Sequence, residues 1–319
     1  MRSGSGGGRR SVRAKAPGKI NVSLCVGPLR PDGYHSVASV YLAVSLFEEV
    51  RATASDEPGI TVSMSPESTL DLDELEIPLD ESNLAVRAAA LMAEVSEHAT
   101  GVHLEITKRV PVAGGMGGGS ADAAAALVAC DALWGSGLSR EELAHLAAEL
   151  GADVPFALLG GAAVGLGVGD RLSPALATAR LDWVLAPADF GLSTPAVFRE
   201  LDRLRAEEGV EAEEPVDVEP GILAAVRAGD APALSHLLVN DLQRAAVSLA
   251  PGLRDTLGWG DSHGALASIV SGSGPTVALL AEDPVAASEL AEALTHRGAS
   301  AVAVHGPVPG ARIVSDTLL

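Results

Sequence analysis

The chain has 319 residues, 47% of them hydrophobic and only 3% aromatic, with a formal net charge of −20. That length can bury a substantial core and, at roughly 150 residues per domain, predicts two domains with a site between them. The charge argues against nonspecific binding to nucleic acid or anionic membrane, and the lack of an apolar run of about 18 to 20 residues argues against a membrane span. After Met1, residues 2–10 are glycine, serine and arginine with no apolar stretch, so a flexible tail over 1–10 is expected and the cytoplasm is the expected location.

Along the chain, Ile20, Val22, Leu24 and Val26 alternate with other residues, the period of a half-buried strand with Asn21 and Ser23 on its opposite face. Lys19 shares that face; alone it reads as a rim lysine, although a covered face is an odd place for an unpaired charge. Arg30-Pro31-Asp32-Gly33 signals a turn and the pattern resumes over 36–47, so a hairpin is expected with Tyr34 and His35 at its tip. The acidic stretch 67–81 lacks the glycine and spacing of a calcium loop and reads as solvated. Asp80-Glu81-Ser82-Asn83 offers N-cap chemistry for a helix to about His98, and Val102, Leu104, Ile106 and Val110 predict a strand.

A glycine-rich segment follows that strand: Pro111, Val112, Ala113, Gly114, Gly115, Met116, Gly117, Gly118, Gly119, Ser120 and Ala121. It leads into a helix with Ala123, Leu127, Cys130 and Trp134 on one face. Glycines before a helix N-terminus let successive amides and the helix dipole converge on one anion, which predicts a phosphate cradle in preference to a plain surface loop. The segment lacks the Gly-Lys-Ser/Thr ending of a Walker loop and the register of a dinucleotide-binding loop.

Ser139 and Glu142 form a capping box for a helix to Leu150. Asp153, just before Val154-Pro155, reads locally as a helix cap, though a capping carboxylate can also project one oxygen into a cleft. Glycines 160–169 suggest paired strands, Leu181–Ala186 another, and Thr194-Pro195 a helix start with Phe198 in its first turn. Tyr34 and Phe198 are core residues by default; flanking one cleft, they could sandwich a base. The acidic stretch 207–219 reads as an exposed excursion. Strands at 267–270 and 277–281 are joined by Ser271, Gly272, Ser273, Gly274 and Pro275, either a plain hairpin loop or a second amide nest for phosphate. A helix over 284–296 and a final strand over 301–305 complete the pattern. Cys25 and Cys130 show neither a disulfide framework nor zinc spacing, and both read as core residues.

Pro17-Gly18-Lys19-Ile20-Asn21, Pro111–Ala121 and Ser271–Pro275 together resemble, in order, the three motifs of the GHMP kinase superfamily. Asp32-Gly33-Tyr34-His35, Asn83-Leu84 with Arg87-Ala88-Ala89, Gly151–Phe156, and Thr194-Pro195 with Phe198 narrow the likeness to a branch whose acceptor is a methylerythritol alcohol carrying a cytidine diphosphate group. Gly18 stands where the superfamily usually has alanine, and the stretch 26–32 is also variant. The resemblance implies an α+β fold, with an N-terminal domain like that of ribosomal protein S5 (11–170) and a ferredoxin-like C-terminal domain (171–319). It implies ATP as co-substrate with Mg²⁺, Lys19 and Asp153 as catalytic pair, and Pro111–Ala121 as ATP-phosphate loop, with Ser120 beside the phosphates and their metal. Tyr34, His35 and Phe198 match a cytosine pocket, and Asn21 and Thr194 fall where substrate is held. Competing expectations are a superfamily kinase for homoserine or mevalonate and a nucleotide-binding protein without chemistry; a dinucleotide-dependent oxidoreductase ranks below both.

Overall fold

The computed structural model describes residues 9–70 and 77–318. The expected hairpin is present and longer than its pattern: β1 (Arg10–Leu29) runs antiparallel to β2 (His35–Ser55). Most of the expected tail, residues 1–8, lies outside the described residues, but Arg10 is already in β1, opposite Leu318 and ion-paired with Asp316 at 2.8 Å. Register shifts between Pro17 and Lys19 and between Asn21 and Ser23 interrupt the ladder; such bulges bend a strand and re-aim its side chains. The half-buried expectation for β1 is corrected here, because Lys19, Asn21 and Ser23 are buried as well as Ile20 and Val22.

Beyond β3 (Ile60–Met64), residues 71–76 of the acidic stretch lie outside the described residues, while Glu67, Asp80 and Glu81 are exposed, as a solvated loop requires. Asn83 caps α1 (Leu84–Val95) by accepting from the Ala85 amide at 2.9 Å. The helix ends at Val95 and not near His98, because Ser96 turns to extended backbone on the way to β4 (Gly101–Thr107). That strand stops short of Val110, since the Arg109 and Val110 amides donate to the Glu48 carboxyl.

Helix α2 (Gly118–Trp134) was expected to have one apolar face, yet it is buried almost all round, including Ala123–Ala126. A helix of that kind belongs inside a core, where its alanines let other elements approach from several sides. The capping box of α3 (Arg140–Leu150) is formed as expected, and α4 (Val154–Leu159) follows Asp153. Strands β5 (Ala162–Leu166) and β6 (Arg171–Ala175) pair with each other, and β5 also pairs with β2.

The next strand, β7 (Leu181–Ala186), opens a second sheet. It is followed by α5 (Thr194–Glu208), α6 (Pro220–Ala228), α7 (Ala231–Ser235), the short β8 (Val239–Asn240), α8 (Gln243–Leu249) and α9 (Leu253–Ser262). The chain ends in β9 (Ala267–Val270), β10 (Val277–Ala281), α10 (Pro284–His296), β11 (Val302–Gly306) and β12 (Arg312–Leu318). The second sheet is antiparallel with order β11-β7-β10-β9, the strand order of a ferredoxin-like unit.

The first sheet runs β12-β1-β2-β4-β3, with β5 and β6 branching from β2 and β8 resting on β1. The last strand is therefore β12 and not the one expected near 301–305, and β6, β8 and β12 place parts of the chain beyond residue 170 in the first sheet. The α+β architecture is as expected. Ile20, Val40 and Leu42 share a core with Trp183, Ile269 and Leu280, which locks the two sheets together. Among the described residues no helix is long and apolar enough to cross a membrane.

Candidate active site

A cavity of about 860 Å³ opens between the two units, walled by β1, the glycine-rich segment, the start of α4, the start of α5 and the β9–β10 loop. Its lining includes Lys19, Asn21, Asp153, Thr194, Phe198, Gly272, Ser273 and Ser120, together with residues 111–115 and 117–119. Met116 and Ala121 are fully buried in the core, and Gly274 is buried behind the lining. The Met116 carbonyl accepts from the Lys19 amide at 3.0 Å, tying the segment to β1.

The two glycine loops lie against each other. Gly115 has φ 75°, and a Cβ there would sit 2.1 Å from the Ser271 carbonyl oxygen, so only glycine fits. The Thr276 amide donates to the Gly114 carbonyl at 3.3 Å, and the Thr194 and Ser273 hydroxyls are 2.9 Å apart. The second loop is thus both a hairpin connection and part of the cavity wall. Ala113 adopts φ 51°, a left-handed conformation costing an L-residue about 1–2 kcal/mol. The loop holds a strained turn at its entrance.

Lys19 is nearly buried, and its partners set its direction. Its ammonium donates to Asn21 Oδ1 at 2.7 Å, Asn21 Nδ2 donates to Ser39 Oγ at 2.7 Å, and that hydroxyl donates to the Ser23 carbonyl at 2.6 Å. The Asp153 carboxylate lies 3.8 Å from Lys19 Nζ. Asp153 occupies the N-cap position of α4, but its side chain makes no capping hydrogen bond. The local reading as a cap is corrected: the carboxylate faces the lysine. Tyr41 sits beside this pair, its ring 5.6 Å from Lys19 Nζ, and burial together with the Asp153 charge pushes its phenol far up, which keeps it neutral.

His35 and Phe198 meet, with ring centroids 5.0 Å apart, and His35 Nε2 is 2.9 Å from Asp202 Oδ1. His35 is buried, whereas Tyr34 is 65% exposed and lines an adjoining cavity of about 590 Å³ with Arg30, Asp32 and Arg171. Val168 lines both cavities. Tyr34 and Phe198 therefore do not flank a single cleft: the turn carries Tyr34 outward while His35, one residue on, points inward.

One constellation escaped the sequence reading. Lys108 Nζ lies 2.6 Å from both Glu48 Oε1 and Asp122 Oδ2; all three side chains are buried, and Lys108 and Asp122 also belong to the cavity wall beside the glycine loop. Burial pushes both carboxyl groups up, and the lysine between them only partly offsets it. Glu48 also accepts from the amides just before the loop, and Asp122 stands in the helix just after it. The trio clamps both ends of the loop. A signal was present, since Asp122 is a lone acid within an alanine run of a buried helix.

Both cysteines are free; Cys130 is a core residue as expected, its thiol pushed up to about 12 by desolvation, whereas Cys25 is half-buried and outside the core clusters, which corrects that expectation.

The comparisons with known proteins first give the class, that of a small-molecule kinase. The model for the GHMP kinases N terminal domain matches residues 83–161 and that for the GHMP kinases C terminal region matches 222–300. A 4-diphosphocytidyl-2-C-methyl-D-erythritol kinase of Pseudarthrobacter chlorophenolicus is 79% identical over 97% of both chains, and one of Thermobifida fusca is 52% identical over 95% of this chain and 98% of its own. A crystal structure of 4-(cytidine 5'-diphospho)-2C-methyl-D-erythritol kinase superposes with a TM-score of 0.75 at 33% identity, covering 92% of this chain and 98% of that one. A homoserine kinase structure from Cytophaga hutchinsonii, TM-score 0.71 at 20% identity over 98% and 99% of the two chains, shows the shared fold. The chain belongs to the 4-diphosphocytidyl-2-C-methyl-D-erythritol kinase family of GHMP kinases.

Proposed function

We propose that this chain transfers the γ-phosphoryl group of ATP to a hydroxyl of 4-diphosphocytidyl-2-C-methyl-D-erythritol, giving the 2-phosphate, in the non-mevalonate route to isoprenoid precursors. The observation that carries the reading is Asp153, uncapped and 3.8 Å from Lys19, on the wall of the cavity that holds the glycine loops. Relatives of the same name at up to 79% identity supply the substrate.

Phosphoryl transfer needs positioning, charge neutralisation and an acceptor for the hydroxyl proton. In this reading the amides of 113–120 and the N-terminus of α2 hold the phosphates, as the glycines and the helix dipole allow. Asp153 takes the proton as the acceptor oxygen bonds to phosphorus and ADP leaves. Lys19, held by Asn21, stabilises the charge that develops on the transferring group.

The described residues contain no cluster of three His, Cys, Asp or Glu suited to a metal. Mg²⁺, which favours oxygen donors and nucleotide phosphates, fits the Ser120 hydroxyl beside the phosphate loop, where it would neutralise β- and γ-phosphate charge. Phe198 offers the acceptor's cytosine a stacking face of about 1–3 kcal/mol, with His35 behind it and Tyr34 in the adjoining cavity. Thr194 and Asn21 line the path between base and phosphate loop. In this reading the N-terminal unit supplies the ATP site, and the C-terminal unit adds Thr194, Phe198 and the second glycine loop to the wall of the same cavity.

The test is coupled ADP release with Mg-ATP and 4-diphosphocytidyl-2-C-methyl-D-erythritol, run beside homoserine, mevalonate and no acceptor. Turnover confined to the cytidyl acceptor is expected. Release with another alcohol would discard the base pocket, and silence throughout would favour a binding protein.

A further inference from the structure

Residues four apart on a helix lie one above the other on the same face. In α5 that spacing joins Phe198 to Asp202, next to the buried Val197 and Leu201 that face the core. Both residues engage His35, the first residue of β2. The Phe198 ring packs on the imidazole at 5.0 Å with a 31° tilt, and Asp202 Oδ1 lies 2.9 Å from Nε2. A carboxylate oxygen can only accept, so this contact puts a hydrogen on Nε2 and fixes the rotation of the ring. The His35 side chain is 5% exposed and that of Asp202 34%, so the bond is partly shielded from water.

The geometry points to Asp202 as a positioning residue for the acceptor's base: by holding His35 against Phe198 it sets the plane on which the base stacks. This rests on the reading that Phe198 stacks the cytosine. Asp202 itself does not line the cavity, and Phe198 is the member of the trio that does. The role is therefore transmitted through two rings.

The helix does not depend on Asp202 for its docking. One turn on, Arg205 donates to the Val26 carbonyl at 2.7 Å and to the Gly27 carbonyl at 3.1 Å, fastening α5 to the end of β1. Removal of Asp202 consequently frees the imidazole without detaching the helix. Asparagine at this position keeps an oxygen that can accept from Nε2–H, whereas alanine does not.

The experiment is steady-state kinetics of Asp202→Ala and Asp202→Asn, with Phe198→Ala as a control for the base site and a thermal melt of each. Asp202→Ala should raise KM for the cytidyl acceptor about 3- to 10-fold, the scale of one lost hydrogen bond. Its KM for ATP and its kcat should stay within about twofold, and Asp202→Asn should recover most of the loss. Equal increases in both KM values, or a loss that asparagine does not restore, would overturn the assignment. If Phe198→Ala raises the acceptor KM while Asp202→Ala leaves it unchanged, the positioning role fails and the base site stands. If neither variant moves it, the base site itself is refuted and the positioning role with it.

Discussion

Replacing Lys108 with methionine removes the ammonium from between two carboxyl groups, each 2.6 Å away, whose side chains are 0% and 7% exposed. Methionine keeps nearly the same length and volume, so the effect is electrostatic and not that of a cavity. Removing one partner of a buried ion pair costs about 3–5 kcal/mol. Proton uptake by the carboxyl pair relieves part of the remaining charge, because burial pushes both Glu48 and Asp122 up once the lysine no longer offsets it, and this favours the lower end. At about 2.1 cal/mol/K of unfolding entropy per residue, a chain of 319 residues shifts by about 1.5 °C per kcal/mol, so the melting temperature should fall by roughly 4–8 °C. Differential scanning fluorimetry at neutral pH reads this directly. A fall below about 2 °C would refute the view that these charges are buried and mutually dependent. Adding Glu48→Gln to Lys108→Met should restore part of the loss, since neighbours in one network are not additive. The KM for ATP should also rise in the single variant, because the trio holds both ends of the glycine loop.

Three further predictions follow from the site. Asp153→Asn should lower kcat by roughly 10²- to 10⁴-fold, the range for a positioned general base, and a loss below about threefold in single-turnover assays would count against that role. Gly115→Ala puts a methyl group 2.1 Å from the Ser271 carbonyl at φ 75°; it should cost roughly 1–3 kcal/mol in backbone strain alone and raise the KM for ATP, and an unaltered KM would show that the contact between the loops does not shape the nucleotide site. The folded Glu48 carboxyl keeps a proton that the unfolded chain releases above 4.5, so its contribution to stability is full below that pH and is lost as pH rises through about 8. Melting curves across that interval should therefore decline less steeply for Glu48→Gln than for the parent chain; identical slopes would place the titration elsewhere.

Much of the fold was legible because its signals are short-range. The hairpin of β1 and β2, the Ser139–Glu142 capping box and the residues of β7 depend on neighbours within a turn or a few residues, and the structure reproduces them, although both faces of β1 are buried. Where local chemistry offered two readings it was less reliable. Asp153 has the residue type and position of a helix cap, yet Lys19, distant in sequence, presents a cation that a local reading cannot see. Tyr34 and His35 are adjacent at a hairpin tip, and only the packing of α5 against that tip decides which of them turns inward. Arg312–Leu318 carries little strand signal of its own and becomes a strand because β1 offers it a free edge.

From the sequence alone came a glycine-rich loop expected to cradle phosphate and the order of three motifs along one chain, both carried by residue type and spacing, which survive in a linear reading. The roles expected of Lys19 and Asp153 came from the family resemblance of those motifs, since locally the two residues read as a rim lysine and a helix cap. The tertiary structure decided how these parts act on one another. It set Lys19 between Asn21 and Asp153, joined Glu48, Lys108 and Asp122 beside the loop, and braced Phe198 with His35 and Asp202. These contacts join residues far apart in the chain, and their strength comes from the exclusion of water, a property of the packed interior that no local stretch of sequence possesses.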